Sequence, residues 1–375
     1  MSRIVFRADG NSTVGTGHVM RCLSIADTFK SHGHECVFIT AEDEFKATIA
    51  LHGHKSIVLH SDFREMGSEL DKIVPVISEL QPAAMFVDSY YVTAPYLESL
   101  QKLLQKVAGR TASLPGKCAG LIYIDDVMAF PYPCDVLINY NIYGPDQLQG
   151  YNRMYEQTKK AQGDEGRTGI FVSEPVYLLG TAYAPLRAEF QKLPARLVRK
   201  EATDILISTG GADFEHMATA LIKETQKLQE SHLRFHFVVG AMNKDRDEIR
   251  ALADEYGCIV MHENVRDMCR LMQGCDAAIS AAGSTLYELC ATQTPAITYI
   301  LADNQIPGAQ GFEAQGVLRC AGDVRDLGTE ILAERLISEA VSLARNDAER
   351  KETALRMASV VDGQGTERIF QTVMG

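Results

Sequence analysis

Two glycines and a histidine near the N terminus form the most promising chemical motif of the sequence. Gly15, Gly17, His18 and Arg21 lie in one stretch that follows the short apolar run 4–6. The run predicts a buried strand and the residues after His18 predict a helix, so the motif falls on a strand-to-helix turn. Ligands bind at such turns in doubly wound α/β folds. Glycine lets the backbone approach a ligand closely, and histidine changes its protonation near neutral pH.

His18 is predicted to occupy the first turn of that helix. The positive end of the helix dipole disfavours an imidazolium ion there, and a neutral imidazole can act as a general base. A histidine at this place can equally bind a phosphate or cap the helix, and the residues alone leave both interpretations open. The other histidines are predicted to lie on solvated faces.

Two further strand-to-helix turns, in the second half of the chain, suit an anion. They consist of small and hydroxyl-bearing residues: Gly210, Gly211, Gly283, Ser284 and Thr285. Backbone N–H groups at helix N termini bind diphosphates, although Ser and Thr are also ordinary helix caps. Glu288 follows one turn into the second helix. Its carboxylate would either accept hydrogen bonds from ribose hydroxyls or bond back to the turn as a capping-box residue.

Polar residues also end predicted strands in the first half, where they would line a sugar pocket or simply pack. These residues are Asp88, Tyr90, Tyr91, Asn139 and Asn141. Asp125 and Asp126 end another strand. A lone pair of carboxylates is a poor magnesium site, which usually also needs phosphates and water. We therefore expect no metal there, and a substrate-contacting or structural role for the pair.

Several common enzyme classes do not fit the motifs. The third glycine of a dinucleotide-binding G-x-G-x-x-G would be position 20, which is Met20, and the second predicted strand ends in Thr40 rather than in an acidic residue. Both features disfavour an NAD-dependent oxidoreductase. The sequence has no G-x-S-x-G, H-E-x-x-H or Walker A motif, so the usual serine hydrolases, zinc proteases and P-loop enzymes are disfavoured.

Composition and charge narrow the class of protein further. The chain has 375 residues, is 46% hydrophobic, and carries a net charge of -12. The length suits two domains of about 150 residues, and the negative charge argues against nucleic-acid or membrane-surface partners. No signal-peptide pattern or long apolar run is present, which predicts a cytoplasmic protein. The nine cysteines form no C-x-x-C pair and are expected to be buried free thiols.

Strands and helices are predicted to alternate along both halves of the chain. In the first half, strands are predicted at 4–7, 35–40, 84–88, 120–125, 135–139 and 176–179, with helices at 18–32, 42–52 and 95–107. In the second half, strands are predicted at 204–208, 235–239, 258–261, 277–280 and 296–300, with helices at 214–229 and 286–292. After residue 300 only helices are predicted, the last beginning at 362–365.

This alternation predicts an α/β fold with two Rossmann-like domains facing a cleft. The N-terminal domain is assigned to 1–195 and the C-terminal domain to 200–360. Residues 361–375 are predicted to form a helix that packs back on the N-terminal domain. The stretch 193–201 is interpreted as a linker. Residues 151–167 are polar and charged and are interpreted as a surface insertion or mobile loop.

The string G-x-G-H-x-x-R-x-x-x-[LI]-A, here residues 15–26, resembles one enzyme family, the UDP-2,4-diacetamido-2,4,6-trideoxy-β-L-altropyranose hydrolases of pseudaminic acid biosynthesis. Further stretches look like family positions in the same order: 87–90, 124–126, 134–139, 180–190, 210–213, the helix of Glu288, 304–305 and 361–368. The ordered set covers nearly the whole chain and is more specific than any single piece.

The resemblance implies a GT-B fold whose C-terminal domain binds UDP and whose N-terminal domain holds the sugar. His18 would be the general base that activates water, so that the anomeric carbon is inverted and free sugar and UDP are released. Asp9 or Arg21 would orient His18 or the diphosphate. The loop Val265–Met268 would meet uracil. The substrate-binding residues implied are Gly15, Gly17, Arg21, Asp88, Tyr90, Asn139, Arg187, Gly210, Gly211, Val265, Met268, Gly283, Ser284, Thr285, Glu288, Asn304 and Gln305. No cofactor and no metal are expected, and the only implied partner is the UDP-sugar.

Two alternatives to hydrolysis stay open at this point. One is a glycosyltransferase of the same fold, in which a sugar or lipid hydroxyl replaces water. The other is a non-catalytic protein that binds a nucleotide sugar. The presence of His18 favours an enzyme, and no basic or apolar patch that would favour a lipid acceptor is evident.

Overall fold

The structure is a computed structural model that describes residues 1–11, 14–107, 120–164, 174–228, 232–240 and 242–375, with the side chains of 160–164 left out. The described chain forms two compact units. Unit 1 contains Met1–Ala188 and Gln364–Gly375, and unit 2 contains Glu189–Gly363. No helix among these described residues is long and apolar enough to cross a membrane.

Unit 1 is built on a seven-stranded sheet in the order β3-β2-β1-β4-β5-β6-β7, and every neighbouring pair is parallel. The strands are β1 (Arg3–Ala8), β2 (Glu35–Thr40), β3 (Lys55–Val58), β4 (Ala84–Asp88), β5 (Leu121–Ile124), β6 (Val136–Asn139) and β7 (Val176–Leu179). Its helices are α1 (Gly17–Ser31), α2 (Lys46–Leu51), α3 (Leu70–Leu80), α4 (Ala94–Val107), α5 (Leu148–Asp164) and, from the C terminus, α14 (Gly365–Met374). The strand order reverses at β1, which places β4 beside the strand that precedes the glycine motif.

Apolar runs place the central strands of unit 1 in its core. Phe6 of β1 lies in register with Phe38 of β2 and Phe86 of β4, and its ring stacks on theirs at 5.0 and 4.8 Å. Helix α14 packs on α1, where the Thr28 hydroxyl donates to the hydroxyl of Thr366 at 2.8 Å. The same side of the sheet is therefore covered by helices from both ends of the chain.

The interpretation of 151–167 as a loop is wrong for 151–164, which belong to α5; 165–167 lie outside the described residues. The buried stripe of this helix consists of Tyr151 and Tyr155, which are spaced one helical turn apart. The Tyr155 hydroxyl donates to the carbonyl of Tyr132 at 2.6 Å. Tyrosines have polar tips, so a helix that buries them lacks the aliphatic periodicity from which helices are predicted.

Unit 2 repeats the doubly wound pattern with six parallel strands in the order β10-β9-β8-β11-β12-β13. The strands are β8 (Asp204–Ser208), β9 (Arg234–Val239), β10 (Ile259–Glu263), β11 (Ala277–Ala281), β12 (Ala296–Ile300) and β13 (Leu318–Asp323). The helices are α6 (Met217–Thr225), α7 (Arg246–Glu255), α8 (Met268–Gly274), α9 (Thr285–Ala291), α10 (Ile306–Ala314), α11 (Val324–Leu327), α12 (Thr329–Arg345) and α13 (Asp347–Val360).

Several elements differ from the sequence prediction. The helices α3, α7 and α8 were not predicted. The edge strands β3 and β13 were not predicted, because neither is a continuous apolar run: β13 reads LRCAGD. The helix predicted at 214–229 is shorter. It begins at Met217 and ends at Thr225, and residue 229 lies outside the described residues.

The segment interpreted as a linker is fixed to unit 2 by arginines. Arg196 donates to the Thr294 hydroxyl at 2.9 Å and also to the carbonyl of Cys275. Arg350, which is fully buried, donates to the carbonyls of Arg199 and Lys200 at 3.0 and 3.1 Å. These contacts agree with the division of the chain, in which unit 2 begins at Glu189, earlier than the 195–200 boundary expected from the sequence. Burial lowers the pKa of Arg196 to about 10.

Eight cysteines are described, and no two of these eight form a disulfide. Six are buried, whereas Cys258 and Cys320 are half-buried. Cys118 lies outside the described residues. Burial raises the pKa of Cys36 and of Cys275, each to about 12, so these thiols stay protonated and are poor nucleophiles at neutral pH.

Candidate functional site

His18, Asp88 and Arg21 meet in one buried hydrogen-bonded cluster in unit 1. Asp88 is the last residue of β4, and His18 is the second residue of α1. The His18 Nδ1 atom lies 2.6 Å from Asp88 Oδ1. The Arg21 guanidinium donates to both oxygens of the same carboxylate, each at 2.5 Å. Parallel pairing of β1 with β4 places Asp88 opposite Ala8, and this register brings residues 70 positions apart in the chain into contact.

The charge state of Asp88 fixes the tautomer of His18. Burial opposes ionisation of Asp88, but the charge of Arg21 and the hydrogen bonds from Arg21 and His18 outweigh it and hold the pKa of this carboxyl well below its usual range. An ionised carboxylate can only accept hydrogen bonds. The 2.6 Å contact therefore requires a proton on Nδ1 of His18. In the neutral ring, this leaves the lone pair on Nε2, the atom that can accept a proton from a substrate or from water.

Arg21 is held between two carboxylates. Its Nη1 atom donates to Asp126 Oδ2 at 2.7 Å and to the Tyr140 hydroxyl at 2.9 Å. Asp126 in turn accepts from the side-chain amide of Asn141 at 2.9 Å. Because its charge is already matched by Asp88 and Asp126, Arg21 orients the cluster and is not a free cation for a diphosphate.

Asp9, the other residue expected to orient His18, has different partners. Its Oδ2 atom accepts from Arg7 Nη1 at 2.5 Å, and its Oδ1 atom accepts from the backbone N–H of Ala41 at 2.7 Å. Arg7 also forms a bidentate pair with Glu69 at 2.7 and 2.8 Å. The Tyr96 hydroxyl donates to the same Glu69 at 2.6 Å. This network fixes the end of β1 below the glycine motif.

Tyr90 covers one side of the His18 ring. The two rings meet edge to face, with their centroids 4.5 Å apart. The Tyr90 side chain is 46% exposed, and its hydroxyl lies 3.5 Å from Asp126 Oδ2. Tyr90 is thus the residue of this cluster that a ligand in solution would meet first.

The glycine motif forms a tight turn ahead of α1. Asn11 and Gly15 pair their backbones in both directions, at 3.2 and 2.8 Å, and Gly15 has a φ of 75°, a conformation that favours glycine. A Cβ atom at Gly15 or at Gly17 would meet nothing within 4 Å. The motif therefore borders open space beside His18, where a ligand can approach the backbone. Residues 12–13 of the turn lie outside the described residues.

Asn139 is a structural residue in this arrangement. It is fully buried, and its amide donates to Gln147 Oε1 at 2.7 Å and to the Tyr151 hydroxyl at 3.1 Å. The Tyr151 hydroxyl donates to Asp125 Oδ2 at 2.5 Å. These contacts place Asp125 and Asn139 in the support of α5. Asn139 reaches the site through Asn141, whose side-chain amide donates to Asn139 Oδ1 at 3.0 Å. Arg187 is half-buried near the end of unit 1.

In unit 2, the turn at Gly210 and Gly211 follows β8. Gly210 has a φ of 90°, and a Cβ atom at Gly240 would lie 2.2 Å from the Gly211 carbonyl oxygen. Asp213 then accepts from the backbone N–H groups of Met217 and Ala218 at 3.0 and 2.9 Å. A carboxylate of the chain itself therefore occupies the N terminus of α6, which was expected to be open to a diphosphate.

The second turn of unit 2 lies directly ahead of α9 and is partly exposed. Ser284 precedes α9 and makes no side-chain cap hydrogen bond to it. Gly283 and Thr285 are half-buried, Ser284 is exposed, and Glu288 is half-buried one turn further on.

The remaining residues of unit 2 that were predicted to bind the substrate differ in their hydrogen-bond partners and exposure. The Met268 N–H, expected to meet uracil, donates to Glu189 Oε1 at 3.2 Å. The Gln305 side-chain oxygen accepts from the N–H of Leu301 at 2.8 Å. Asn304 is exposed, and Val265 is half-buried. Across the part of the chain that is described, no group of three or more His, Cys, Asp or Glu residues is placed to hold a metal ion.

Comparison with protein families and curated sequences gives distant relatives. The sequence model of the lipid-A-disaccharide synthetase family, LpxB, matches residues 188–302. The uncharacterized protein MJ1062 of Methanocaldococcus jannaschii is 24% identical over 81% of this chain and 56% of its own length. A hydrolase of Campylobacter jejuni, named for UDP-2,4-diacetamido-2,4,6-trideoxy-β-L-altropyranose, is 22% identical over 80% of this chain and 92% of its own length.

One further relative is more similar over a shorter region. The Helicobacter pylori protein named pseudaminic acid cytidylyltransferase and UDP-2,4-diacetamido-2,4,6-trideoxy-β-L-altropyranose hydrolase is 31% identical over 38% of this chain and 25% of its own length. This chain thus spans little more than half of the M. jannaschii relative and a quarter of the H. pylori relative.

Solved structures define the fold class. MurG of Acinetobacter baumannii superposes with a TM-score of 0.63 at 13% identity, over 100% of this chain and 99% of that one. The calicheamicin glycosyltransferase CalG4 gives 0.63 at 15% identity, over 100% and 97%. These are glycosyltransferases with two Rossmann-like domains, so the predicted GT-B fold is confirmed. At the sequence level, the chain is similar to proteins named as altropyranose hydrolases, as the motifs predicted.

Proposed function

We propose that this protein is a UDP-sugar hydrolase that splits a UDP-linked 2,4-diacetamido-2,4,6-trideoxy-hexose, the altropyranose, into free sugar and UDP. The observation that carries the proposal is the dyad of His18 and Asp88, in which an ionised carboxylate holds Nδ1 at 2.6 Å. It leaves Nε2 as the basic atom of the ring. The names of the C. jejuni and H. pylori relatives support the substrate and its place in pseudaminic acid biosynthesis.

The reaction follows from this dyad. A water molecule attacks the anomeric carbon on the face opposite UDP while His18 Nε2 takes one of its protons. The new C–O bond forms as the bond to the UDP oxygen breaks, so the configuration inverts. Asp88 stabilises the imidazolium that forms, as the carboxylate of a catalytic triad does. The proton leaves His18 for solvent, and the products are free sugar and UDP.

In this proposal, unit 2 supplies the UDP-binding residues. Ser284 and Thr285 contribute hydroxyl donors to the diphosphate, and Glu288 accepts from the ribose. The positive end of the helix that follows the turn stabilises charge as UDP leaves. The first turn, at Gly210 and Gly211, contributes backbone groups rather than the N terminus of α6, because Asp213 occupies that terminus.

The test uses NMR to monitor the release of UDP in the presence of EDTA. The UDP-linked altropyranose and UDP-N-acetylglucosamine are compared in parallel as substrates. We expect release of UDP and free sugar from the altropyranose compound only. His18→Ala should lose on the order of 10²–10⁴ in turnover and still bind UDP. His216→Ala is the matched control, because His216 also bonds to a carboxylate, Asp245, but is solvent-exposed in unit 2. Near-normal turnover by His18→Ala contradicts the assignment.

A glycosyltransferase is the second candidate. The structural relatives that share the fold are glycosyltransferases, and the family model that matches 188–302 is a synthetase. Tight UDP binding without release into water would favour this candidate, and sugar and lipid acceptors would then be screened. If no acceptor is used either, the protein is a nucleotide-sugar-binding protein.

A further inference from the structure

Unit 2 contains a charged cavity that the proposed hydrolysis does not use. It has a volume of about 500 Å³ and lies along the first residues of β8 and β9 and beside α8. The glycine turns at 210–211 and 283–285 do not line it. Val265 lines the cavity and also belongs to the loop expected to meet uracil, so the two regions are neighbours.

Arginines dominate the charge of this cavity. Arg199, Arg234 and Arg270 line it. Arg199 is compensated by Asp276, at 2.7 and 2.8 Å. Arg234 forms an ion pair with Asp204, with 2.8 Å between its Nη2 atom and Asp204 Oδ1, and its side chain is 57% exposed. Among the described residues, the Arg270 guanidinium has no ion-pair partner, because the carboxylate of neighbouring Asp267 caps α8 through the backbone N–H of Arg270 at 2.8 Å.

Two histidines form a proton path into the same cavity. His236 Nε2 lies 2.8 Å from Asp204 Oδ1, and His236 Nδ1 lies 2.9 Å from His262 Nε2. Asp204 accepts the proton of His236 Nε2. Neutral His236 must then accept from His262 through Nδ1, which leaves Nδ1 of His262 without a proton. One additional proton on the pair turns this atom into a donor.

We propose that the cavity binds a phosphate-class oxyanion, either the free ion or the phosphoryl group of a small metabolite, with Arg234 and Arg270 as its charged donors. Guanidinium groups bind phosphate oxygens with short, charge-assisted hydrogen bonds. The carboxylate of Asp204 does not oppose the anion, since Arg234, His236 and the Thr203 hydroxyl already surround it. This inference does not depend on the proposed hydrolysis.

The histidine pair couples this binding to protons. The charged groups around it are Asp204 from β8, Arg234 from β9, Arg199 ahead of β8, and Asp267 and Arg270 from α8. Burial and the neighbouring His236 lower the pKa of His262. An anion beside it favours the protonated form. Affinity for the anion should therefore rise as the pH falls.

The imidazole NMR signals of His236 and His262 in the full-length protein test the proposal. Sulfate, inorganic phosphate and glycerol phosphate are the probes, each against chloride at matched ionic strength. We expect saturable shifts of both signals. In the double variant that combines Arg234→Gln and Arg270→Gln, the affinity for the anion should fall about tenfold or more. Arg335→Gln, which changes an exposed arginine paired with Glu339 on α12, should leave the affinity unchanged. The His216 signal should not move.

Each arm has an outcome that decides. The site is overturned if the double variant binds the anion with the same affinity as the wild-type protein. It is also overturned if the His216 signal shifts as much as the signals of His236 and His262. Sulfate keeps its charge between about pH 6 and pH 8, so tighter sulfate binding at the lower pH supports the role of the histidine pair, and a constant affinity overturns it. Tighter binding of glycerol phosphate than of phosphate identifies a metabolite ligand, and the reverse identifies the free ion. A thermal unfolding curve of the double variant confirms that it is folded.

Discussion

The two units follow the same strand order over six strands, and each contains a buried carboxylate, Asp88 or Asp213, whose pKa is shifted in the opposite direction from the other. Asp88, at the end of β4 in unit 1, is bonded by a guanidinium, and its pKa lies well below the usual range. Asp213, after β8 in unit 2, is bonded by backbone N–H groups, and burial raises its pKa. Hydrogen bonds from neutral donors do not offset the burial of this charge, whereas the charge of an arginine does.

Buried arginines differ between the units in the same way. In unit 1, burial disfavours the charge of Arg7, but the carboxylates of Glu69 and Asp9 outweigh it and raise its pKa. In unit 2, burial lowers the pKa of Arg350, whose hydrogen bonds go to backbone carbonyls and whose nearest carboxylate is 3.9 Å away. The two buried arginines thus differ in their partners, because Arg7 bonds to two carboxylates and Arg350 bonds to backbone carbonyls.

The largest expected effect is that of Asp88→Asn. An asparagine amide can donate to Nδ1 of His18, which moves the ring proton to Nε2 and removes the base. We expect turnover to fall on the order of 10²–10⁴ with UDP affinity unchanged, measured by UDP release and by UDP titration. Imidazole NMR should show the changed tautomer of His18.

Asp126→Asn is the matched control for this variant. Asp126 bonds to Arg21 and to Asn141, and no contact with His18 is described for it. It should cost clearly less turnover than Asp88→Asn. Equal losses in both variants would show that the charge of Arg21, and not the tautomer of His18, sets the rate.

Glu69→Gln tests the buried pairs of unit 1. It leaves the fully buried Arg7 with Asp9 as its only described carboxylate partner, and such a change costs about 3–5 kcal/mol in the free energy of unfolding. Burial opposes the charge of Glu69, but the bonds from Arg7 outweigh it and lower its pKa. Its stabilisation is therefore present above about pH 4.3, the usual pKa of Glu, and is lost as the pH falls further.

Urea unfolding at several pH values measures this effect. The gap in unfolding free energy between the wild-type protein and Glu69→Gln should be widest near neutral pH and narrow toward about pH 3. A gap that does not depend on pH would mean that packing, and not charge, accounts for the loss.

Tyr151→Phe tests whether α5 contributes to stability alone or also to turnover. The variant removes the hydroxyl that bonds to Asp125 and Asn139 and should cost about 1–3 kcal/mol in the free energy of unfolding. Turnover should change little. Tyr177→Phe is a matched control, because the buried Tyr177 hydroxyl has no hydrogen-bond partner among the described residues. It should be neutral or stabilising. A loss of turnover in Tyr151→Phe beyond its loss of stability would assign α5 a role in catalysis.

These cases show which parts of the molecule can be predicted from the sequence. Strands such as β1 and β4 are short continuous apolar runs, which predict buried strands directly. The helix α5 was missed because its buried residues are tyrosines, and β13 because Arg319 and Gly322 interrupt its apolar residues.

The site shows the same limit. His18 and Asp88 could each be singled out, because each follows or ends a predicted strand. Their pairing depends on the register that sets Ala8 opposite Asp88, which no local pattern encodes. The network of Arg7 and Glu69 had a weak signal, an arginine at the end of a buried strand. Its partner lies 62 residues away.

Asp213→Asn has the smallest expected effect and the opposite pH dependence. Asparagine keeps one acceptor oxygen for the N–H groups of Met217 and Ala218, so it should cost about 1 kcal/mol at acid pH. Because burial raises the pKa of Asp213, the wild-type protein loses stability as the pH rises from about 4 through that pKa, and the variant does not. Urea unfolding should therefore show the gap closing toward neutral pH, where the gap for Glu69→Gln opens. If both gaps changed in the same direction, the electrostatic difference between the two units would be refuted.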